Sequence, residues 1–240
     1  MAATQDGKAK GVGFVGVRAF VLERFGEDGW NATLERLTPA DRDALVGLVP
    51  VGWYSLALYA RLIRAVDDAL GCGDLAMVVQ LGRFEAERDL TTIHRFLLRL
   101  ANPGFAVEKL ATTWRQFHDS GVWSITRPNG HQVMGTLDGW AHVDYALCRE
   151  LVGYFARCLE LVGATHVMVE HPQCRARGDS ICRFQARWGA ARDWKEPPRS
   201  GEGDVRREPT VSGAHPITPR DAFAASVDAL PEGSPRARTR

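Results

Sequence analysis

An α+β fold, with a helical N-terminal half and a small antiparallel sheet, follows from three observations on this 240-residue chain. Apolar residues recur at helical spacing through residues 53–117, the period switches to two at residue 122, and one more helical stripe separates two pairs of strand-like runs. Composition adds limits. A formal net charge of +1 gives no electrostatic footprint for nucleic acid or an anionic membrane surface. No apolar run approaches the length of a membrane span. Five cysteines without a secretory leader point to reduced or metal-bound thiols and a cytoplasmic protein.

Three segments are expected. Residues 1–10 are polar and read as a disordered N-terminus, and residues 11–188 form the α+β domain. Residues 189–240 hold seven of the twelve prolines and only two aromatics, Trp194 and Phe223, so they read as a disordered tail.

Along the domain, Val12, Phe14 and Val17 suggest a short strand running into a helix that ends near Gly26. Thr38-Pro39-Ala40-Asp41 is a helix start, with a hydroxyl N-cap and proline in the first turn. In residues 53–70, Leu56, Tyr59, Leu62, Ile63, Val66 and Leu70 share one helical face, closed by Gly71. Asp74 caps a helical stretch over residues 75–100, with a break at Thr91-Thr92. Its Glu85, Glu87 and Asp89, interleaved with Arg83 and Arg88, read as a solvated, ion-paired face. After the turn Asn102-Pro103-Gly104 comes a helix with Val107, Leu110, Ala111, Trp114 and Phe117 on one side. Residues 122–127 and 131–137 flank Pro128-Asn129-Gly130 as a β-hairpin. A helix over residues 143–162 and strands at residues 165–170 and 181–188 complete the domain.

Chemistry concentrates near that last turn. Cys174 and Cys182 flank a polar stretch containing Gly178, His171 stands three residues before the first, and Cys148 lies on the preceding helix. Three cysteines and a histidine form one of the standard structural zinc sets. Their spacing lacks the compact CxxC pair, and buried free cysteines also serve as small hydrophobes, so both roles stay open.

The run Cys174 to Cys182 followed by Phe184 resembles the C-terminal hairpin of 4-vinyl-reductase-type domains, whose fold is shared with TRAPP vesicle-tethering subunits and heme nitric-oxide-binding domains. Residues 11–30 are also similar to the start of the heme nitric-oxide-binding domains. Taken whole, residues 11–188 most resemble a family of uncharacterised myxobacterial proteins that looks like a branch of this superfamily. The resemblance implies a TRAPP-like/4-vinyl-reductase-like ligand-binding fold and, from its phenol-responsive sensors, a zinc held by three cysteines and a glutamate. Cys148, Cys174 and Cys182 match the cysteines. His171 stands in the slot of the glutamate, with Glu170 as the rival ligand.

Function is expected to be non-enzymatic: ligand sensing or protein interaction, with zinc at Cys148, His171, Cys174 and Cys182. Trp114, Phe117, His118, Trp123 and Trp140 are candidates to line a pocket for a small hydrophobic ligand, or equally to fill a core. A homodimer through residues 53–70, as TRAPP-like domains form, or a separate signalling partner would carry the output. A heme-based gas sensor and an enzyme of the vinyl-reductase type are the alternatives. Heme is not expected, because the Tyr-x-Ser-x-Arg propionate contact of that family is absent and neither His94 nor His118 sits in a matching context.

Overall fold

The computed structural model describes residues 6–92 and 102–189, all within one compact unit that ends at Arg192. The expected tail, and His94 with the end of the expected helical stretch 75–100, lie outside the described residues. Strand β1 (Lys8–Lys10) opens the domain and helix α1 (Gly11–Glu35) follows at once. Helices α2 (Pro39–Leu45), α3 (Leu56–Leu70), α4 (Ala76–Thr92) and α5 (Pro103–Phe117) make up the helical half, with the short strand β2 (Trp53–Ser55) ahead of α3. The hairpin β3 (Val122–Asn129) and β4 (Gln132–Asp138), helix α6 (Tyr145–Leu161), and strands β5 (Thr165–Gln173) and β6 (Cys182–Gly189) complete it. Among the described residues no helix is long and apolar enough to cross a membrane.

The four longer strands form an antiparallel sheet in the order β3-β4-β6-β5. Register explains its buried face. Leu137 lies opposite Cys182, Gly135 opposite Phe184, and Val133 opposite Ala186, so every second residue of both central strands points the same way. Buried residues of α1 (Phe14, Val17, Phe20), α3 (Leu56, Leu62, Ile63) and α6 (Leu147, Leu151) join Leu137 and Phe184 in one core.

Three expectations need correction. Lys8–Lys10, assigned to a disordered N-terminus, pair antiparallel with Trp53–Ser55, and the Lys8 amide donates to Asp119 at 2.8 Å. The strand expected after Gly11 is therefore this earlier one, and α1 starts at Gly11 itself. Nor does α1 end near Gly26. That residue breaks the helix with φ 67°, a value glycine adopts without steric cost, and the helix resumes to Glu35. The apolar stripe of residues 53–70, expected to pair two copies, is spent inside the chain: Leu56, Leu62, Ile63 and Val66 are fully buried in the core.

Helices α4 and α6 touch backbone to backbone. A Cβ at Gly153 would stand 2.0 Å from the Val79 carbonyl oxygen, and one at Gly82 would stand 2.1 Å from the Glu150 carbonyl oxygen. Only glycine permits so close an approach. It locks the two helices at a fixed spacing, which matters for the groups they carry.

Candidate metal centre and ligand chamber

Cys148 comes from α6, His171 from the end of β5, Cys174 from the start of the turn and Cys182 from the first residue of β6. All four are buried, and one ligand atom from each lies within 4.8 Å of the others. The Cys148 and Cys182 sulfurs are 3.8 Å apart, and those of Cys174 and Cys148 are 3.9 Å apart. A disulfide would need about 2.05 Å. Three thiolates at about 2.3 Å from one zinc ion stand about 3.8 Å from each other in a tetrahedron, so the spacing is that of a zinc set.

His171 supplies the fourth corner. Neither of its ring nitrogens has a hydrogen-bond partner among the described residues, and its ring stacks on Phe184 with centroids 4.2 Å apart. Glu170 is one residue away on an extended strand and so faces the other side. Its carboxylate takes a 2.6 Å bond from Arg187 at the surface.

The turn is shaped by its own polar groups. Asp179 accepts from the Cys174 amide at 2.7 Å, Arg177 donates to the His171 carbonyl at 2.7 Å, and Arg175 donates to the Trp140 carbonyl at 2.6 Å. Charge in the cluster is uneven. A hydrogen bond from Cys148, helped by His171, pushes the Cys182 thiol down to about 4, while the same contact holds Cys148 up.

On the other side of α6 lies a cavity of about 160 Å³. Trp114, Phe117, His118, Trp123 and Trp140 all line it, together with Leu147, Phe155 and Phe184. Trp123 lies over Gly135, where a Cβ would come within 2.9 Å of its ring, so this glycine makes room for the wall. His118 stacks on Trp114 at 3.7 Å, and its Nδ1 is buried without a partner among the described residues, as is Nε1 of Trp140. Burial holds the His118 imidazole down to about 3, so it is neutral at physiological pH.

The floor of the cavity is polar and had no sequence signal. Glu85, expected on a solvated face, is buried, as is Glu150. Glu87 keeps the expected role, pairing with Arg157 at 3.2 Å, as does Arg83, which pairs with Glu160 at 2.7 Å. The Tyr59 hydroxyl donates to Glu150 and lies 3.2 Å from Oε1 of Glu85, and the two carboxyl groups bond each other. Burial pushes both carboxyls up, the Glu150 charge adding to the effect on Glu85. Asp89, near the Tyr154 hydroxyl, is likewise raised by burial to about 6. A helical period of 3.6 put Glu85 on the face that α6 covers, and only the position of α6 shows it.

The fold is that of H-NOX proteins. The chain resembles an H-NOX protein from K. algicida, solved as unliganded Fe(II), with a TM-score of 0.60 at 9% identity over 78% of this chain and 100% of that one. An H-NOX protein from S. oneidensis in the Fe(II)NO state gives 0.56 at 17% identity, covering 75% of this chain and 99% of the other. The NMR structure of an H-NOX domain from Shewanella oneidensis in the Fe(II)CO state gives 0.58 at 16% identity over 75% and 98%. No protein-family model and no curated protein matches the chain. The expectation against heme is corrected by these structures, since H-NOX proteins solved in Fe(II)NO and Fe(II)CO ligation states share the fold over nearly their whole length.

Proposed function

We propose that the chain is a non-enzymatic small-ligand sensor, with the cavity as the ligand chamber and a zinc ion holding the hairpin that forms one wall of it. The carrying observation is a shared set of elements. Helix α6 gives Cys148 to the cluster and Leu147, Glu150 and Leu151 to the chamber, while β6 gives Cys182 to the one and Phe184 and Ala186 to the other. A closed four-ligand zinc site leaves no open position for catalysis. The cysteine spacing keeps the finer likeness to 4-vinyl-reductase-type and TRAPP-like domains within this reading. A separate protein partner is the proposed receiver of the signal.

The likeness to H-NOX structures favours heme-based gas sensing over a pure interaction module. Heme, when bound, supplies an iron position on which a diatomic gas is held. His118 is the described residue that fits the protein ligand, being a neutral imidazole on the chamber wall with Nδ1 free. Lys10 is the cation on the wall, its ammonium on the Val51 carbonyl at 2.8 Å and over the Trp53 ring. A macrocycle needs more room than the present cavity of about 160 Å³.

Two measurements test the reading. Purified protein should carry about one equivalent of zinc by metal analysis, and a protein free of transition metal removes the zinc. Ferrous heme should give a Soret band that shifts with nitric oxide and is lost in His118→Ala. A featureless spectrum after reconstitution removes the heme.

A further inference from the structure

Glu85 and Glu150 meet at the Tyr59 hydroxyl without a cation beside them among the described residues. Two carboxyl groups and one phenol hydroxyl meet at the chamber floor, and Glu85, Glu150 and Tyr59 all line the cavity. Among the described residues no lysine, arginine or histidine pairs with either acid. A buried carboxylate without a counter-ion is costly, and its usual remedies are a partner cation or a proton.

The place is nonetheless built to hold these acids. At Gly16 of α1 a Cβ would come within 2.6 Å of Oε1 of Glu85, so that helix gives way to the carboxyl group. Gly82 and Gly153 clamp α4 against α6, fixing the helices that carry Glu85 and Glu150. A second observation comes from elsewhere on the wall. Nδ1 of His118, a nitrogen able to accept, is buried and unpartnered among the described residues, and the residue lines the same chamber. An unpartnered buried acceptor beside an aromatic cavity is a feature of a ligand site.

We propose that the chamber floor recognises a protonated amine carried on a compact apolar body about the size of a single ring. An ammonium group brings three donors and a positive charge to carboxyl oxygens whose hydrogen-bond partner is the Tyr59 hydroxyl. The volume of 160 Å³ sets the size of the rest, close to the cavity of about 150 Å³ that accepts benzene. Trp114, Trp123 and Phe155 give it aromatic walls. The inference rests on the chamber being a ligand site.

The test is calorimetric titration of the full, metal-loaded chain with three probes of one shape: 2-phenylethylamine, 2-phenylethanol and phenylacetate. The amine should bind at least about tenfold tighter than the alcohol, as charge-assisted bonds imply, and the acid should not bind. Glu150→Gln should remove the preference for amine over alcohol. Should that variant fail to fold, the ratio of amine to alcohol on the unaltered protein decides alone. Equal binding of amine and alcohol, or a preference that survives Glu150→Gln, overturns the inference. Binding of heme or of the alcohol without the amine overturns it and leaves the chamber intact. If no probe binds and heme also fails to bind, the chamber reading falls with it.

Discussion

Helix α6 presents two buried polar clusters, and they differ in what completes them. Cys148 and Glu150 are two residues apart, so the helical period turns them to nearly opposite sides. On one side, three thiols and an imidazole converge with sulfurs 3.8 and 3.9 Å apart, a set that one zinc ion satisfies in full. On the other, two acids and a tyrosine bond each other beside an aromatic cavity, and no partner of opposite charge is built in among the described residues. The first is a staple, closed once its ion is bound. The second stays open toward a cavity, at a cost to the empty protein. A fold that spends stability at its ligand floor while clamping the hairpin beside it has the economy expected of a sensor.

Removing the staple should produce the largest effect. Cys174→Ser should lose the bound zinc and lower stability by more than about 3 kcal/mol, roughly 10 °C in Tm for a domain of this size. Metal analysis and thermal melts of the same preparation check both parts. An unchanged melt would mean that the thiols are core filling and that the two clusters are more alike than proposed.

The frame that holds the clusters apart comes next. Gly153→Ala forces a methyl group against the Val79 carbonyl and should cost about 2–3 kcal/mol in chemical denaturation. It should also weaken ligand binding, because Glu85 and Glu150 lie on the two helices pushed apart.

The acids should respond with the opposite sign. Their values are raised in the fold, so the folded chain keeps protons that the unfolded chain releases above about pH 4.5. Stability is therefore highest on the acid side and falls as pH rises through the raised values, with Asp89 contributing between its ordinary value of 3.8 and about 6. Glu85→Gln should flatten that fall and stabilise the empty protein by about 1 kcal/mol at pH 8, with little change at pH 5. Denaturation curves at the two pH values measure it. A loss of stability at pH 8 would mean that the acids hold the helices together.

The smallest effect sharpens the ligand set. Glu170→Ala removes only an exposed pair with Arg187 and should change stability by less than about 0.5 kcal/mol, with zinc retained. Loss of zinc in this variant would return Glu170 to the cluster in place of His171.

Much of the frame was legible in residue order. Thr38 caps its helix as expected, accepting from the amide of Asp41, whereas Asn102, read as part of a turn, caps α5 by accepting from the amide of Phe105. The switch from helical to alternating period marked the sheet, and the cysteine spacing marked the cluster. These signals are local: a cap, a turn or a stripe is decided by neighbours along the chain, and thiol chemistry is rare enough to stand out. The choice of His171 over Glu170 needed the strand's facing. Glu85 and Glu150 left no mark, because an acid among arginines on a helix looks solvated until another helix covers it. Their burial, the chamber between α5 and the sheet, and the use of the α3 stripe as core were decided by tertiary packing. The reason is that burial belongs to pairs of surfaces, and the close approach at Gly82 and Gly153 joins residues some seventy positions apart in the chain.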